Sequence, residues 1–198
     1  YKPGFAINPL KFVNGIAKYA LSKKLKIFDH SLVKKIEKNN NSYILRTNEG
    51  SVNTKKIVVA TNGFYQEGLV PQMNSRILPV ISNIIVTRKL SKNEIDLHNF
   101  KTYSPIMNTK NLLYYYRKLP DDRILFGTRG DFIGSDQSNF NRSKKMEIFF
   151  KNIFPDWSKI SIDYSWRGLI AMSQKLTPSI GKIENEEIYY GFGYHGVG

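Results

Sequence analysis

The chain contains no cysteine and only three histidines among its 198 residues. The absence of cysteine excludes disulfides, thiolate metal sites, a cysteine nucleophile and a cysteine-linked cofactor within this segment, and we predict no metal site. No apolar run approaches the length of about 20 residues that a membrane-spanning helix needs. We therefore expect a folded protein without a membrane span, and the lack of cysteine fits a cytoplasmic location.

Acidic residues are also scarce, with 16 Asp and Glu against 30 Lys and Arg, which gives a net charge of +14. Such a balance is found in proteins that bind nucleic acid or anionic membranes. However, the lysines form dispersed pairs and no continuous stripe. We favour solvated lysines over a specific nucleic-acid site, with attraction of an anionic cofactor as a third reading.

Hydrophobic residues make up 41% of the chain and aromatic residues 13%, which indicates a folded globular protein. At this length the chain is able to bury one sizeable core or two small ones. It begins with Tyr1-Lys2-Pro3-Gly4, which is neither an initiator methionine nor the start of a signal peptide. We therefore expect the N-terminus to be cut.

The first part of the chain predicts a helix followed by short strands. Asn8-Pro9 suits a helix start, and apolar residues from Leu10 to Leu21 recur at helical spacing. Strands are predicted at 26–29, 33–38, 43–47 and 57–60. The last of these is apolar without alternation, which favours a strand buried on both faces of a parallel sheet.

The remainder predicts a second, β-rich region. A long strand is expected at 77–87, and segments 111–119 and 123–129 suit a hairpin across Pro120-Asp121-Asp122. Asn141 is predicted to cap a helix whose apolar face carries Met146, Phe149, Phe150 and Ile153 before Pro155 stops it. Strands follow at 160–166 and 188–190, and the latter leads into a glycine-rich turn.

Three linked motifs in the last third of the chain carry a family resemblance. They are Trp166 with Gly168, the run Pro178-Ser179-Ile180-Gly181, and the run from Gly191 to Val197. In this order and spacing they resemble the C-terminal signature of the D-amino acid oxidase-like (DAO) superfamily of FAD-dependent amine and amino-acid oxidoreductases. Within this superfamily, the motifs most resemble those of the γ-glutamylputrescine oxidoreductase-like and glycine/sarcosine oxidase-like members.

The resemblance implies an α+β or α/β fold with an incomplete, Rossmann-like FAD-binding domain and an antiparallel substrate sheet with flanking helices. Residues 1–76 and 166–198 are expected to belong to the FAD-binding domain, and residues 77–165 to the substrate domain. This sequence contains no strand followed by GxGxxG and an acidic residue, the unit that binds a dinucleotide in this family. The run from Gly191 to Gly196 matches the spacing of GxGxxG, but the helix that must follow the motif is missing. We expect a fragment of a longer flavoenzyme.

The resemblance also implies which residues approach the FAD. Val33 would contact the adenine through its backbone, and the turn after the 57–60 strand would lie near the phosphates. The glycine-rich turn would offer backbone N–H groups to the charge that develops at the flavin N1 and C2 carbonyl. The cofactor-binding candidates are Val33, Ala60, Thr61, Asn62, Gly63, Gly193, His195, Gly196, Val197 and Gly198.

Two residues of that turn are catalytic candidates. His195 is either a histidine that is hydrogen-bonded near a turn or, less favoured, a catalytic base. Tyr194 stands where relatives carry a small residue, and its phenol would either border the substrate pocket or point into the core.

The substrate-binding candidates are Tyr114, Tyr116, Arg117, Arg129 and Ile170. Tyr114 and Tyr116 share one face of a strand, where sheet packing is the commoner role. Arg117 and Arg129 lie on facing arms of the hairpin, in reach of a substrate carboxylate. In amino-acid-oxidising relatives an arginine holds that carboxylate at the position of Ile170, and an Asp stands at that of Lys175. These departures shift the expectation towards amines or N-substituted compounds.

The predicted function is therefore oxidation of the C–N bond of a small-molecule amine or amino acid by hydride transfer to FAD, in a fragment unable to turn over alone. Two alternatives stay open: a non-catalytic basic module for nucleic acid or anionic surfaces, and a structural subunit of an amine dehydrogenase. The oligomeric state is not predicted.

Overall fold

A computed structural model describes residues 6–109, 113–131 and 136–196. For residues 129–131 and 136–142 it describes the backbone alone. In chain order the elements are α1 (Pro9–Ser22), β1 (Lys35–Asn39), β2 (Ser42–Arg46), β3 (Ser51–Thr54), β4 (Ile57–Val59), β5 (Leu78–Thr87), α2 (Lys92–Leu97), β6 (Ile106–Met107), β7 (Tyr114–Lys118), β8 (Ile124–Asp131), α3 (Asp136–Ile153), β9 (Ile162–Met172), β10 (Ser179–Lys182) and β11 (Ile188–Phe192).

The chain divides into two compact units. Among the described residues, the central unit contains those of 80–169, and the flanking unit contains those of 7–79 and 170–196. The flanking unit is thus built from two stretches that are far apart in sequence. The assignment of cofactor and substrate roles to separate domains stays a prediction.

The helix that opens the flanking unit begins where its sequence predicts. The Asn8 side chain accepts a hydrogen bond from the Lys11 N–H at 3.0 Å, and Pro9 occupies the first turn. Both features satisfy the start of a helix, since proline lacks the N–H that would otherwise be unpaired. No residue of α1 is buried.

A three-stranded antiparallel meander of β1, β2 and β3 follows. The strand predicted at 26–29 is wrong, because no neighbouring strand pairs with this exposed segment in the described part of the chain. Strand β3 was not predicted, and it forms because Ser51–Thr54 pairs with β2 across a turn at Thr47–Gly50.

Tyr43 of β2 ties the meander to the turn before β11. Its hydroxyl donates to Glu186 Oε2 at 2.6 Å and accepts from the Glu187 N–H at 2.9 Å. The hydrogen bond to the carboxylate raises the pKa of Tyr43, while Lys38 and the same phenol lower the pKa of Glu186. This side chain therefore fixes where β11 starts.

Strands β10, β11 and β4 form a second small sheet, in which β11 is antiparallel to β10 and parallel to β4. One face of this sheet covers a core that includes Ile57, Val59, Ile188 and Phe192. Val58, between two of these residues, is 71% exposed. The prediction that β4 is buried on both faces is thus wrong for the described chain, since only one face is covered.

The central unit contains a five-stranded sheet in the order β6-β7-β8-β5-β9. The predicted hairpin is confirmed, because β7 pairs antiparallel with β8 and the Leu119 N–H bonds to the Arg123 carbonyl at 2.8 Å. Helix α3 ends before Pro155 as predicted, but it begins at Asp136 and not at Asn141. The predicted cap is therefore an interior helical position.

Aromatic side chains fill the core between this sheet and α3. Tyr114 and Tyr116 stack against Phe126, with ring centroids 5.6 and 6.3 Å away, and Tyr116 meets Phe154 edge-on. The cluster also contains Met146, Phe150 and Trp157, all of which are fully buried. Helical spacing thus predicted part of this core, whereas Ile153 stays 37% exposed.

An ion pair stabilises α2 at its first turn. Arg88 holds both carboxylate oxygens of Glu94, at 2.6 and 3.0 Å, and Ser91 and Glu94 cap the helix reciprocally. Hydrogen bonds from Arg88 and from the Ser91 backbone lower the pKa of Glu94 to about 2. The buried Trp157 indole donates to the Glu94 carbonyl at 2.7 Å, which links the cap to the aromatic core.

We expect Glu94→Gln to destabilise the protein by about 1–2 kcal/mol at pH 7, a figure reduced for the partial solvent exposure of the pair. The folded-state pKa lies below the ordinary value of 4.5, so the stabilisation is present above that pH and disappears as the pH falls through about 2. Urea unfolding followed by tryptophan fluorescence at several pH values measures it. Glu147→Gln, which removes only an exposed partner of Lys151 at 3.9 Å, is the control. Equal losses in the two variants would refute the assignment.

Candidate functional site

The candidate site lies where two parallel strands of the flanking unit end. Because β4 and β11 run in the same direction, the turns that follow them lie side by side at the carboxyl ends of the two strands. The Asn62 side-chain oxygen accepts a hydrogen bond from the Gly193 N–H at 3.1 Å, across 131 residues of sequence. Ligands of open α/β sheets bind at the carboxyl ends of such strands.

Both turns depend on left-handed backbone conformations. Asn62 has a φ of 50°, and Gly193, His195 and Gly196 have φ values of 77°, 55° and 72°. A Cβ at Gly193 would lie 3.2 Å from the Ser173 Cβ, so both backbone conformation and space favour glycine there. The glycine-rich sequence thus produces a tight turn that a chain with ordinary residues would not adopt.

His195 is buried, with 5% of its surface exposed, and both ring nitrogens have close neighbours. Its Nε2 lies 3.2 Å from Ser173 Oγ, and its Nδ1 lies 3.3 Å from Met172 Sδ. The Ser173 hydroxyl also donates to the Thr177 carbonyl at 2.9 Å, which holds that serine in place beside the histidine. The backbone N–H also bonds to the Ala171 carbonyl at 3.2 Å, so this geometry favours an anchor for the turn over a catalytic base.

Ile170 lies directly against Gly196. A Cβ built on Gly196 would approach Ile170 Cδ1 to 3.2 Å, with Cγ1 and Cγ2 next. The structure thus brings together one predicted substrate residue and one predicted cofactor residue. The side chain at this position is apolar and offers no partner to a carboxylate.

Tyr194 turns back over β11. Its hydroxyl would lie 2.9 Å from a Cβ built on Gly191, which places the half-buried phenol over that glycine. By strand register, Gly191 faces the same side as Val58 and opposite to the core. The ring covers Gly191 on the outer face of the sheet and does not point into the core, and its role beside a substrate pocket stays a prediction.

The other cofactor candidates differ in their surroundings. Gly63 is buried in a short 3-10 turn, whereas Ala60 and Thr61 are exposed beside it. Val33 is half-buried just before β1, and the backbone N–H of Lys34 next to it donates to the Arg46 carbonyl at 2.7 Å. Val197 and Gly198 lie outside the described residues, so their predicted role stays a prediction.

In the central unit, alternation along β7 separates the substrate candidates into two groups. Tyr114 and Tyr116 lie within the aromatic core, where packing accounts for both rings. Tyr115 and Arg117 lie on the opposite face, and the backbone of Arg129 pairs with Ser82 where β8 meets β5. The side chain of Arg129 is outside the described part of the chain.

Sequence reasoning missed the polar pair on this second face. The hydroxyls of Tyr115 and Ser82 are 2.8 Å apart, and the Tyr115 ring covers Gly127 so closely that a Cβ there would overlap it at 2.2 Å. Alternation along β7 alone sets Tyr115 opposite to Tyr114 and Tyr116, but only the pairing of β5 with β8 brings Ser82 beside it.

The turn after β11 fits the flavin that the family resemblance implies. Gly196 is exposed, and among the residues described its N–H has no hydrogen-bond partner. A Cβ at this position would fill the space beside Ile170. Within the same residues no group of three His, Asp or Glu side chains is arranged to hold a metal ion, and no helix is long and apolar enough to cross a membrane.

Comparison with known proteins supports one family. The family model described as FAD dependent oxidoreductase (DAO) matches residues 1–198. A probable oxidoreductase, OrdL, from Haemophilus influenzae is 32% identical over 97% of this chain and 43% of its own length. The gamma-glutamylputrescine oxidoreductase of Escherichia coli is 27% identical over 98% of this chain and 45% of its own length. The chain thus spans less than half the length of these curated relatives.

Solved structures show the same fold. L-proline dehydrogenase from P. horikoshii superimposes with a TM-score of 0.74 at 20% identity, covering 95% of this chain and 50% of that one. Glycine oxidase from Geobacillus kaustophilus gives a TM-score of 0.71 at 16% identity, covering 92% and 47%. The mixed α/β fold with antiparallel sheets is therefore confirmed.

The hydrogen bond between Asn62 and Gly193 is testable by hydrogen exchange. We expect Asn62→Gly, which permits the left-handed backbone but lacks the acceptor, to speed exchange of the Gly193 amide about tenfold, since an unpaired buried N–H costs about 1–3 kcal/mol. Asn62→Asp retains an acceptor oxygen and should leave that amide protected. Similar exchange in the two variants would show that the two turns are held together by other contacts.

Proposed function

Because this chain belongs to the DAO family of FAD-dependent oxidoreductases, we propose that it forms the substrate-binding and flavin-facing part of an enzyme that oxidises the C–N bond of an amine. The observation that carries the proposal is the contact of Ile170 with Gly196 in the turn after β11. This contact places an apolar side chain beside the turn that the family signature assigns to the flavin.

The proposed cofactor contacts lie on the two joined turns. Gly196 would present its exposed N–H to the flavin, and Ala60, Thr61 and Gly63 would lie near the phosphates. Asn62 holds the two turns together, and His195 fixes the second turn through its backbone N–H and the contact of its Nε2 with Ser173. When bound, FAD would supply the electron acceptor for the substrate's hydride.

The character of Ile170 supports an amine substrate without an α-carboxylate. A buried carboxylate needs a charged or hydrogen-bonding partner, and an isoleucine side chain provides none. The name of the Escherichia coli relative, 27% identical, points to an N-substituted diamine as a candidate substrate. An amine bearing an amide-linked acyl group is therefore the substrate class we propose.

The second face of the central sheet is the proposed substrate surface of that unit. There the Tyr115 and Ser82 hydroxyls form a polar pair, and Arg117 lies on the same face. Hydroxyls of this kind orient an amide or amine by hydrogen bonding without adding charge. The core position of Tyr114 and Tyr116 supports a packing role for these two rings.

Flavin binding is tested with protein expressed from its complete reading frame and reconstituted with FAD. We expect flavin absorbance to remain with the protein. Gly196→Ala should weaken the binding of FAD about tenfold, because a residue with a Cβ is strained at a φ of 72° and that Cβ would meet Ile170. Gly50→Ala adds a methyl where nothing lies within 4 Å and is the matched control. A colourless protein after reconstitution would remove the proposal.

Substrate class is tested with an acylated amine and the amino acid that differs from it only by the α-carboxylate, such as N-acetylputrescine and Nδ-acetylornithine. We expect Ile170→Arg to shift the ratio of kcat/KM towards the amino acid about tenfold or more, because a charge-assisted hydrogen bond contributes about 1.5–3 kcal/mol. Ile170→Met keeps an apolar side chain of similar volume and should leave the ratio unchanged. An unaltered ratio in the arginine variant would contradict the assignment of this position.

A further inference from the structure

The chain has four methionines, and one of them lies against the candidate site. Met172 is the last residue of β9, and its Sδ is 3.3 Å from Nδ1 of His195. Its side chain is half-buried. By contrast, Met73 and Met146 are 2% and 0% exposed within the two cores, and Met107 of β6 is 58% exposed. The chain thus places a partly accessible thioether in contact with a buried histidine.

The histidine that Met172 contacts helps to fix the turn after β11. The His195 side chain is buried, and its Nε2 lies 3.2 Å from Ser173 Oγ. Its backbone N–H bonds to the Ala171 carbonyl at 3.2 Å. The consecutive residues 171–173 therefore all contact this histidine, and a chemical change at Met172 acts directly on the side chain that anchors the turn.

A thioether is the one group in this arrangement that peroxide oxidises readily. It is apolar in its packing and a weak hydrogen-bond acceptor, whereas the sulfoxide is polar and chiral. In the reaction with hydrogen peroxide, a lone pair of the sulfur attacks one peroxide oxygen, the O–O bond breaks and an S–O bond forms. The sulfur is oxidised, the peroxide is reduced, and its second oxygen leaves as water with both protons.

We propose that Met172 is a peroxide-sensitive site whose oxidation loosens the turn after β11. Its sulfur lies 3.3 Å from Nδ1 of His195, which leaves no room for an oxygen atom between them. The sulfoxide therefore displaces the imidazole from Ser173 or turns away from it, and the histidine loses a contact in either case. The N–H of Gly196, next along the turn, is then held less firmly. The effect on the flavin rests on the proposed function, whereas the oxidation and the loosening of the turn do not.

Position, and not reactivity alone, distinguishes Met172 from the other methionines. Susceptibility to oxidation follows exposure, so Met107 should react at least as fast. However, in the part of the chain that the structure describes, the sulfur of Met107 takes part in no hydrogen bond, and this residue belongs to the central unit. Met107 is therefore the natural control for oxidation outside the candidate site.

The test treats protein expressed from its complete reading frame, without FAD, with dilute hydrogen peroxide and follows each methionine by peptide mass spectrometry. We expect Met172 to oxidise at least about tenfold faster than the buried Met73 and Met146. Hydrogen exchange of the His195 amide should then become about fivefold faster, as expected for the loss of one hydrogen bond. Methionine sulfoxide reductases should reverse the change in exchange.

Two variants separate Met172 from general oxidation. Met172→Leu keeps an apolar side chain of similar volume, and exchange of its His195 amide should not respond to peroxide. Met107→Leu retains the sulfur at the candidate site and should respond as the unaltered protein does. Each variant is compared with its own untreated sample, so a difference in starting stability does not enter the result.

The same samples are then titrated with FAD, whose affinity should fall about fivefold on oxidation unless Met172 is replaced. Protection of Met172 equal to that of Met146, unchanged His195 exchange after oxidation, or an equal response in Met172→Leu would overturn the proposal. An FAD affinity that oxidation leaves unaltered would overturn its consequence for the cofactor. Protein that takes up no FAD at all would remove the proposed function, and the exchange of the His195 amide would still decide this inference.

Discussion

The parallel pairing of β4 with β11 is the constraint on which the rest of the flanking unit depends. It joins a strand near residue 58 to one near residue 189, so that two turns distant in sequence emerge at the same edge. Asn62 then fixes the second turn by accepting from Gly193, and Tyr43 fixes the start of β11 from the other end. The strand pairing and these two hydrogen bonds together fix the position of β11 and of the turn after it. The position of Gly196 beside Ile170 therefore follows from backbone geometry and needs no ion pair.

Local signals in the sequence were sufficient for much of the fold. The Asn8-Pro9 start of α1 and the hairpin across 120–122 rest on contacts between near neighbours, and both are confirmed. The apolar face predicted for α3 is confirmed at Met146, Phe149 and Phe150, whereas Ile153 is exposed. The family signature likewise located the turn after β11. Its glycines have the left-handed conformations that only a few residue types adopt at low cost.

Features that depend on distant contacts were not predictable in the same way. The bond from Gly193 to Asn62 and the pairing of Ser82 with Tyr115 each join residues that are more than 30 positions apart. The start of α3 was misplaced because Asn141 resembles a cap in isolation, whereas the helix already extends through it. Apolar residues at 26–29 suggested a strand, but a strand forms only where a neighbour supplies hydrogen bonds.

Each unit contains a glycine that is covered by the ring of a tyrosine on the adjacent strand. Tyr115 covers Gly127, and Tyr190 covers Gly181. Aromatic rings placed this way shield a backbone that glycine would otherwise leave bare to water. Homologues that carry a larger side chain at either glycine would have to move or shorten the facing tyrosine in compensation. The two positions of each couple should therefore covary through evolution, and in the central unit such an exchange would also remove the hydroxyl that meets Ser82.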